Sequence, residues 1–339
     1  MHLLTLFTLL TLIKTIQGQG LPPHILEHEA AGFYIKDRNG QHDIFVRSYP
    51  CTSPPPCRTL LLIHGFPTSS FDYVTVASSF TSTHTVVTYD HLGFGLSDKP
   101  TSFNYTMREQ ALNLHHIIKS QSLGSQFDVV SHDMGDTVLT EYLLLLSLPP
   151  AVGEDKPRAP GTVVFTNGGM VYSMINKRLA QIIITSRFGE AFVKWCPRGV
   201  RDWFSRKQLG TIWGGNREGM EKDIEDIMIL TDWKGGSEII HHLSHYLIER
   251  SGGEDHWVSA VSSAVLSSNV TVRFVWGDSD AVAPLGIADD FSARVGGEVG
   301  EGEVCGERMD VAVIEGCGHF GMLEEPEKYT KEIKKALGV

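Results

Sequence analysis

The 339-residue sequence lacks several features that would assign it to a class at once. It has no run of about 20 apolar residues, which excludes a membrane-spanning helix of ordinary length. Lys and Arg number 29 against 40 Asp and Glu, giving a formal net charge of −11, and no Lys/Arg-rich block stands out. A nucleic-acid partner is therefore not expected. The five cysteines form no CxxC pair and no zinc-type spacing, so they predict no metal site.

The N-terminus is apolar from Leu3 to Ile13, where Lys14 interrupts the run. A helix over this run reaches only ~17 Å at ~1.5 Å per residue, about half of a ~30 Å hydrocarbon core. Small residues at Gly18 and Gly20 suit a cleavage region. We therefore predict residues 1–20 as a signal peptide or a short N-terminal anchor. A buried N-terminal helix is the alternative.

Two further features agree with entry into the secretory pathway. Asn104 and Asn269 each begin an Asn-x-Thr sequon, which predicts glycosylation there. Cys51 and Cys57 flank the Pro-rich turn CTSPPPC, and we expect a disulfide between them in an oxidising compartment.

Short β-branched runs alternate with longer helix-compatible segments, a pattern typical of βαβ units and a parallel sheet. The predicted strands are Gly32–Ile35, Asp43–Tyr49, Leu60–Ile63, Thr85–Tyr89, Phe127–Ser131, Val163–Thr166, Val272–Trp276 and Val311–Ile314. The segment between the sixth and seventh predicted strands has helical periodicity and contains five of the six Trp residues. We predict a helical insertion at residues 170–268, with one helix over Ile239–Glu249, in a core formed by residues 28–169 and 269–339.

The run from Phe127 to Val138 carries the most chemical information. A buried strand ends in small–x–acid–x–small, with Ser131 and Gly135 as the small residues that allow a tight strand-to-helix turn. The residue lifted out by this turn is usually Ser, and here it is Asp133. The helix N-terminus behind it favours the carboxylate.

An Asp at the turn narrows the reaction. A carboxylate attacking an acyl carbon would give an anhydride, whereas attack on the sp³ carbon of an epoxide or halide gives an ordinary ester. The pattern therefore predicts nucleophilic substitution followed by hydrolysis of that ester by an activated water. The alternative is that Asp133 is simply a helix cap.

Three further motifs follow predicted strands. A turn after the third strand places the Phe66 N–H where, with the Met134 N–H, it could donate to an oxyanion. Asp280 follows the seventh strand as the acid that orients a base, with Asp278 as its competitor. His319 follows the last strand in a glycine-rich setting that we expect to be flexible. Enzymes that carry their nucleophile on such a strand-to-helix turn have their catalytic residues in the chain order nucleophile, acid, histidine, as here.

Together these motifs resemble α/β-hydrolases of the epoxide hydrolase/haloalkane dehalogenase type, and within them the mesoderm-specific transcript protein family of the endoplasmic reticulum. The resemblance runs from about Gly32 to the C-terminus. It is densest over HGFPTSS (64–70), YDHLGFGLSDKP (89–100), SHDMGD (131–136) and TNGG (166–169). It implies an α/β fold, the α/β-hydrolase fold, with a mostly parallel eight-stranded sheet, flanking helices and a helical cap inserted after the sixth strand.

The resemblance also implies roles for individual residues. Asp133 would be the nucleophile, His319 the base and Asp280 the acid that orients it. Some relatives carry that acid after the strand before the cap, but this chain has Asn167 there, which cannot serve. Dehalogenases often have Trp after the nucleophile to hold the halide. Met134 has no side-chain N–H, which disfavours dehalogenation.

Epoxide hydrolases use cap tyrosines to protonate the opening oxygen, and the candidate proton donors here are Tyr172 and Tyr246. Both could equally be packing residues of the cap. The sequence thus predicts hydrolysis of a lipophilic epoxide via an alkyl-enzyme ester, with a small lipophilic substrate as partner and neither metal nor organic cofactor. The alternatives are another lipid-directed esterase or acyltransferase, and a non-catalytic binding protein that retains the fold.

The expected compartment is the endoplasmic reticulum, in the lumen or attached to the membrane through the N-terminal segment, with secretion as the alternative. We also expect the Phe66–Pro67 peptide bond to be cis, because a tight turn at this loop suits it. The oligomeric state is left open.

Overall fold

The architecture is a single eight-stranded sheet flanked by helices. The computed structural model describes residues 20–54, 56–121, 126–150, 155–300 and 309–339, so the predicted signal peptide or anchor, apart from Gly20, lies outside the described residues. The strands are β1 (Phe33–Lys36), β2 (Asp43–Tyr49), β3 (Arg58–Ile63), β4 (His84–Tyr89), β5 (Phe127–His132), β6 (Thr162–Thr166), β7 (Thr271–Gly277) and β8 (Val311–Ile314). Each predicted strand is present, with its ends shifted by at most two residues.

The sheet order is β1-β2-β4-β3-β5-β6-β7-β8. β2 runs antiparallel to both of its neighbours, and every pairing from β4 to β8 is parallel. Ile63 at the end of β3 is level with Ser131 of β5, and Gly277 of β7 is level with Ile314 of β8. The carboxyl ends of the parallel strands therefore form one edge, where their loops meet. The mostly parallel eight-stranded sheet predicted from the sequence is confirmed.

The helices vary in length from one turn to four. They are α1 (Pro23–Ala30), α2 (Val74–Ala77), α3 (Met107–Ser120), α4 (Met134–Ser147), α5 (Leu179–Thr185), α6 (Gly189–Trp195), α7 (Arg198–Gly210), α8 (Met220–Asp232), α9 (Ile240–Leu243), α10 (Tyr246–Glu249), α11 (Glu254–Ser268), α12 (Gly286–Val299), α13 (Gly321–Glu324) and α14 (Pro326–Leu337). Short 3₁₀ helices lie at Ser70–Tyr73, Ser78–Phe80, Tyr172–Met174 and Trp233–Glu238. Within the described ranges, none of the helices is long and apolar enough to cross a bilayer.

Helices cover both faces of the sheet. On one face α3 packs on α4, α4 on α11, and α11 on α12, while α14 packs with α2 against the other face. The sequence of α3 explains its place, because Met107, Ala111, Leu114 and Ile118 recur at helical spacing and are all buried. α4 is buried on nearly all sides because it lies between the sheet, α3 and α11.

Helices α5 to α10 lie between β6 and β7, in the segment predicted as the cap. α11 also falls inside the predicted range of 170–268, but it packs with α4 and α12 in the core layer. The covering helices therefore end before α11, and the predicted boundary moves toward the N-terminus. The single helix predicted over Ile239–Glu249 is wrong, because the chain breaks it into α9 and α10. Ser244 lies at the break, where its hydroxyl donates to the His241 carbonyl oxygen.

The structure also places the residues predicted to be modified. Cys51 and Cys57 are joined by a disulfide bond. Asn104 and Asn269 are both exposed, and Asn269 ends α11 with a left-handed φ of 55°. Glycosylation at these two positions stays a prediction.

Candidate active site

Asp133 lies on the sharp turn between β5 and α4. Its φ of 48° and ψ of −110° fall where a residue with a side chain is rarely found, a strained geometry typical of functional turns. Close approach of neighbouring loops fixes the turn. A Cβ on Gly135 would lie 2.7 Å from the His64 carbonyl oxygen, and one on Gly65 would lie 2.7 Å from the Asp133 Cβ. Glycine at both positions therefore lets the β3 loop come within contact of the Asp133 side chain.

The loop after β3 provides a hydrogen-bond donor to this carboxylate. The Phe66 N–H donates to Asp133 Oδ2 at 3.1 Å. The Phe66–Pro67 peptide bond is cis, as the sequence predicts. Met134, the second predicted donor, is the first residue of α4, where a helical N–H has no carbonyl of its own helix to bind. Both predicted donors are thus located beside Asp133.

His319 and Asp280 meet at the carboxyl ends of β7 and β8. His319 Nδ1 and Asp280 Oδ2 are 2.8 Å apart, and both side chains are buried. Asp280 Oδ1 accepts from the N–H groups of Val282 and Ala283 at 2.7 and 3.0 Å. Burial alone would lower the pKa of His319, but the Asp280 carboxylate outweighs it, and the pKa is raised to about 9. The competitor Asp278 is exposed and accepts instead from the Gly316 N–H, so it does not contact His319.

Asn167 contributes to the site although it cannot be the acid. Its side-chain Nδ2 donates to Asp280 Oδ2 at 2.8 Å, and its Oδ1 accepts from the Gly277 N–H at 3.2 Å. The amide therefore holds the end of β7 and the carboxylate that follows it. The sequence shows Asn167 where some relatives carry the orienting acid. It does not show that the Asn167 amide would contact Asp280, the acid that takes over this role.

The His319 loop is held by a buried carboxylate that the sequence did not single out. Glu324 accepts from the backbone N–H groups of Gly214, Gly318 and Phe320 at 2.7 to 2.9 Å. A Cβ on Gly318 would lie 2.3 Å from the Gly214 nitrogen. The expectation of a flexible setting is therefore wrong, because this glycine serves close packing between the loop and the covering segment.

Arg250 is the most important residue that the sequence analysis missed. It follows α10 and is only 1% exposed. Its guanidinium donates to the Asp133 carbonyl oxygen at 2.8 Å, to Asp133 Oδ1 at 3.4 Å and to Thr137 Oγ1 at 3.0 Å. Burial alone would raise the pKa of Asp133, but Arg250, followed by His319, holds it below its usual value. Asp133 is therefore an ionised carboxylate paired with a buried cation.

The two candidate proton donors are in different places. Tyr246 is fully buried, and its hydroxyl lies 3.5 Å from Asp133 Oδ2. Burial raises its pKa well above the usual value, which keeps the hydroxyl protonated. Tyr172 lies away from Asp133, where its hydroxyl accepts from Lys177 and the ammonium group lies over its ring. Only Tyr246 is within reach of the Asp133 carboxylate.

Comparison with known proteins identifies the family of this chain. A family model described as the alpha/beta hydrolase family matches residues 60–332, which is more than half of the chain. The chain belongs to the alpha/beta hydrolase family.

Relatives of this hydrolase occur in bacteria and mammals. LipZ of Mycobacterium tuberculosis (strain ATCC 25618 / H37Rv), whose name marks it as a candidate hydrolase, is 31% identical over 311 residues, covering 91% of this chain and 96% of LipZ. The mesoderm-specific transcript homolog protein of Bos taurus is 28% identical over 232 residues, covering 66% of this chain and 65% of that protein.

Solved structures share the fold. The epoxide hydrolase CorEH has a TM-score of 0.65 at 18% identity, covering 91% of this hydrolase and 98% of CorEH. Esterases are similar in structure too. At such low identity the likeness extends to the fold alone.

A cavity of about 130 Å³ in this hydrolase is bordered by both Asp133 and His319. Much of its wall is apolar, and the covering helices contribute Ile184, Phe204 and Leu209. The lining suits a lipophilic molecule. Within the described ranges, no group of three or more His, Cys, Asp or Glu residues could hold a metal ion.

Proposed function

We propose that this alpha/beta hydrolase opens lipophilic epoxides through an alkyl ester on Asp133. The observation that carries the proposal is the 3.1 Å contact from the Phe66 N–H to Asp133 Oδ2. When an enzyme carboxylate is the nucleophile, it becomes an ester that water attacks in a second step. The oxyanion of that step therefore forms on the carboxylate oxygen of the enzyme and not on a substrate carbonyl. A donor already placed on Oδ2 matches this requirement.

In the first step, one Asp133 oxygen attacks an epoxide carbon. A new C–O ester bond forms, the epoxide C–O bond breaks, and its electron pair stays on the departing oxygen. We assign Tyr246 as the acid that protonates this oxygen, because its hydroxyl carries a proton and lies 3.5 Å from the nucleophile.

In the second step, water attacks Cγ of the ester, and His319 takes the proton. The Phe66 N–H, with Met134, stabilises the oxyanion. The Cγ–O bond to the alkyl group then breaks in the tetrahedral intermediate, and the His319 imidazolium protonates the leaving alkoxide, which completes the diol. The remaining carboxyl proton returns to the Tyr246 phenolate, and the Asp133 carboxylate is regenerated. The Asp280 carboxylate does most to raise the pKa of His319 and Asp133 adds to it, so esterification of Asp133 lowers this pKa at the stage that needs a base. Asp280 fixes its tautomer through the 2.8 Å contact at Nδ1.

We also propose that the protein is a glycoprotein of the endoplasmic reticulum, in the lumen or membrane-associated. The exposure of Asn104 and Asn269 and the Cys51–Cys57 disulfide support this location. Attachment through the N-terminal segment and a role in lipid metabolism belong to the same proposal. Mapping glycans by peptide mass spectrometry after expression in a eukaryotic host tests the two asparagines.

The chemical proposal is tested by single turnover in H₂¹⁸O with a panel of lipophilic epoxides, followed by mass spectrometry of the peptide containing Asp133. Attack of labelled water on the ester places ¹⁸O in the Asp133 carboxylate. His319→Gln should accumulate the ester as a substrate-sized adduct, and Asp133→Asn should form none. Asp278→Asn is the matched control, because this acid lies two residues from Asp280 in the sequence but is exposed and does not contact His319.

The outcomes separate the three functions. An adduct on Asp133 together with ¹⁸O in its carboxylate supports the proposal. Turnover of acyl esters that survives in Asp133→Asn, with deamidation excluded, favours the esterase or acyltransferase. Ligand binding without turnover of any substrate class favours a binding protein that retains the fold. The proposal also fails if ¹⁸O enters only the diol.

A further inference from the structure

Large apolar side chains on the outer surface of the cap are left uncovered by the described part of the chain. Phe188, Trp195 and Trp203 are 61%, 77% and 61% exposed. Leu179 and Ile182, one turn apart on α5, are 55% and 51% exposed. Single exposed apolar residues are ordinary, but a group of this size usually marks an interaction site.

The position of three helices explains why these residues face outward. α5 packs against both α6 and α7, and each of these helices contributes an inner side chain to the cavity wall, namely Ile184, Phe192 and Phe204. The exposed residues occupy the opposite faces. On α7, for example, Val200, Trp203 and Lys207 recur at helical spacing, and all are exposed. The wall of the cavity is thus one helix thick, with apolar side chains on both sides.

The charge of this segment is opposite to that of the protein. Residues 177–207 hold eight of the 29 Lys and Arg residues but only two of the 40 acidic residues, a formal charge of +6 that leaves −17 for the rest. No basic block stands out in the sequence, because these residues lie up to nine positions apart. Arg198 and Arg206 form ion pairs with acids of α8. Arg178 and Arg201 line the cavity, which leaves the other four cations to charge the outer surface.

Three of these cations are exposed side chains without an acidic partner among the described residues. Arg187, Lys194 and Lys207 are exposed, and none forms an ion pair with an acidic side chain in the described ranges. The Arg187 guanidinium lies 4.6 Å from the centre of the Phe188 ring, and the Lys194 ammonium lies 5.7 Å from that of Trp195. Cations and aromatic rings are therefore interleaved on one surface.

We propose that this surface, the docking face, binds an anionic lipid bilayer. The docking face consists of Leu179, Ile182, Phe188, Trp195, Val200 and Trp203 with the cations Arg187, Lys194 and Lys207. Helices that lie in a membrane interface combine Trp, Phe and Leu with Lys and Arg in this way. The cations attract anionic head groups, and the aromatic rings enter the boundary between head groups and acyl chains. The strongly negative remainder of the protein is repelled, which orients the cap toward the lipid.

This inference is independent of the proposed chemistry and can be tested without turnover. The full chain is floated with phosphatidylcholine vesicles, with or without about 30% phosphatidylserine. Two double variants change the docking face. One carries Trp195→Ser with Trp203→Ser, and the other carries Arg187→Gln with Lys194→Gln. Neither pair lines the cavity.

Controls are matched for exposure and charge. Leu266→Ser changes an apolar residue of α11 that is 61% exposed, outside the docking face. Lys331→Gln with Lys335→Gln removes two exposed cations from α14. Both controls retain the apolar N-terminal segment, as do the docking-face variants, so binding through that segment cannot distinguish them.

We expect stronger binding to the anionic vesicles than to the neutral ones, with a blue shift of Trp emission as Trp195 and Trp203 leave water. Loss of the two cations should lower partitioning about thirtyfold. Loss of the two Trp residues should lower it about tenfold or more, since each ring is a large part of the buried area. Both controls should stay within about twofold of wild type.

Three results would overturn the inference. One is equal binding to neutral vesicles. Another is unchanged binding by both docking-face variants, which assigns attachment to a different part of the chain. The third is equally strong binding to soluble heparin with no blue shift, which assigns the surface to an acidic polymer.

Discussion

Replacing Arg250 with Met should destabilise this hydrolase far more than removal of an ordinary ion pair. Arg250 and the Asp133 carboxylate are 3.4 Å apart, and neither side chain is more than 4% exposed. Removing one partner of such a pair leaves a buried charge without its compensation, which typically costs about 3–5 kcal/mol. Arg294→Met is the control, because its three acidic partners lie at the surface and surface pairs contribute about 0–1 kcal/mol.

The pairwise contribution can be separated by a double-mutant cycle. Asp133→Asn removes the charge that Arg250 compensates, so the double variant should lose less free energy of unfolding than the two single variants together. We expect a coupling of about 2 kcal/mol or more, measured by urea denaturation at neutral pH. Additive effects would refute the pairing as a source of stability.

The same change should also alter the chemistry. Arg250 lowers the pKa of Asp133, so in Arg250→Met this pKa rises and ester formation begins at a higher pH than in wild type. A single-turnover profile of adduct formation against pH measures the shift. An onset at the same pH in both proteins would contradict the role assigned to Arg250.

Three further results are expected. Tyr246→Phe should slow epoxide opening about a hundredfold while leaving breakdown of a preformed ester unchanged, and Tyr172→Phe should change neither; equal losses in both variants would exclude the acid role. Burial raises the pKa of Asp72 to about 8, so ionisation of this one carboxyl in the unfolded chain removes ~1.4 kcal/mol of stability per pH unit as the pH rises from about 4 toward 8. Asp72→Asn should flatten that dependence in urea titrations at pH values across this range. Gly318→Ala, whose methyl group would lie 2.3 Å from a backbone nitrogen, should lower Tm and abolish turnover, whereas Gly297→Ala, with open space around it, should do neither.

The strands and the residues at their carboxyl ends could be predicted from the sequence because residues close together in the chain determine them. Consecutive buried β-branched residues form strands, and parallel strands bring their ends to one edge. Asp133, Asp280 and His319 therefore meet where the order of motifs places them. The paired contact between His319 and Asp280 follows from adjacent strands, β7 and β8.

Other features depend on contacts that no local pattern encodes. Arg250 reaches Asp133 across 117 residues of chain, from the end of α10, the short helix that follows the break in the expected helix over residues 239–249. Glu324 is one of several acids near the C-terminus, and only the fold shows that it accepts from three backbone N–H groups. The cationic docking face was missed for the same reason, since its charges are dispersed in sequence and assembled by packing.

Arg250 lies in the cap and Asp133 lies at the end of a sheet strand. The position of the cap is therefore coupled to the charge of Asp133. Lifting the cap would pull these opposite charges out of an almost fully buried contact, and their attraction opposes the opening. The proposed alkyl ester on Asp133 would carry no charge, so this attraction to Arg250 would be lost. On this proposal we expect the cap to loosen when a water molecule must enter and to tighten again when hydrolysis regenerates the carboxylate.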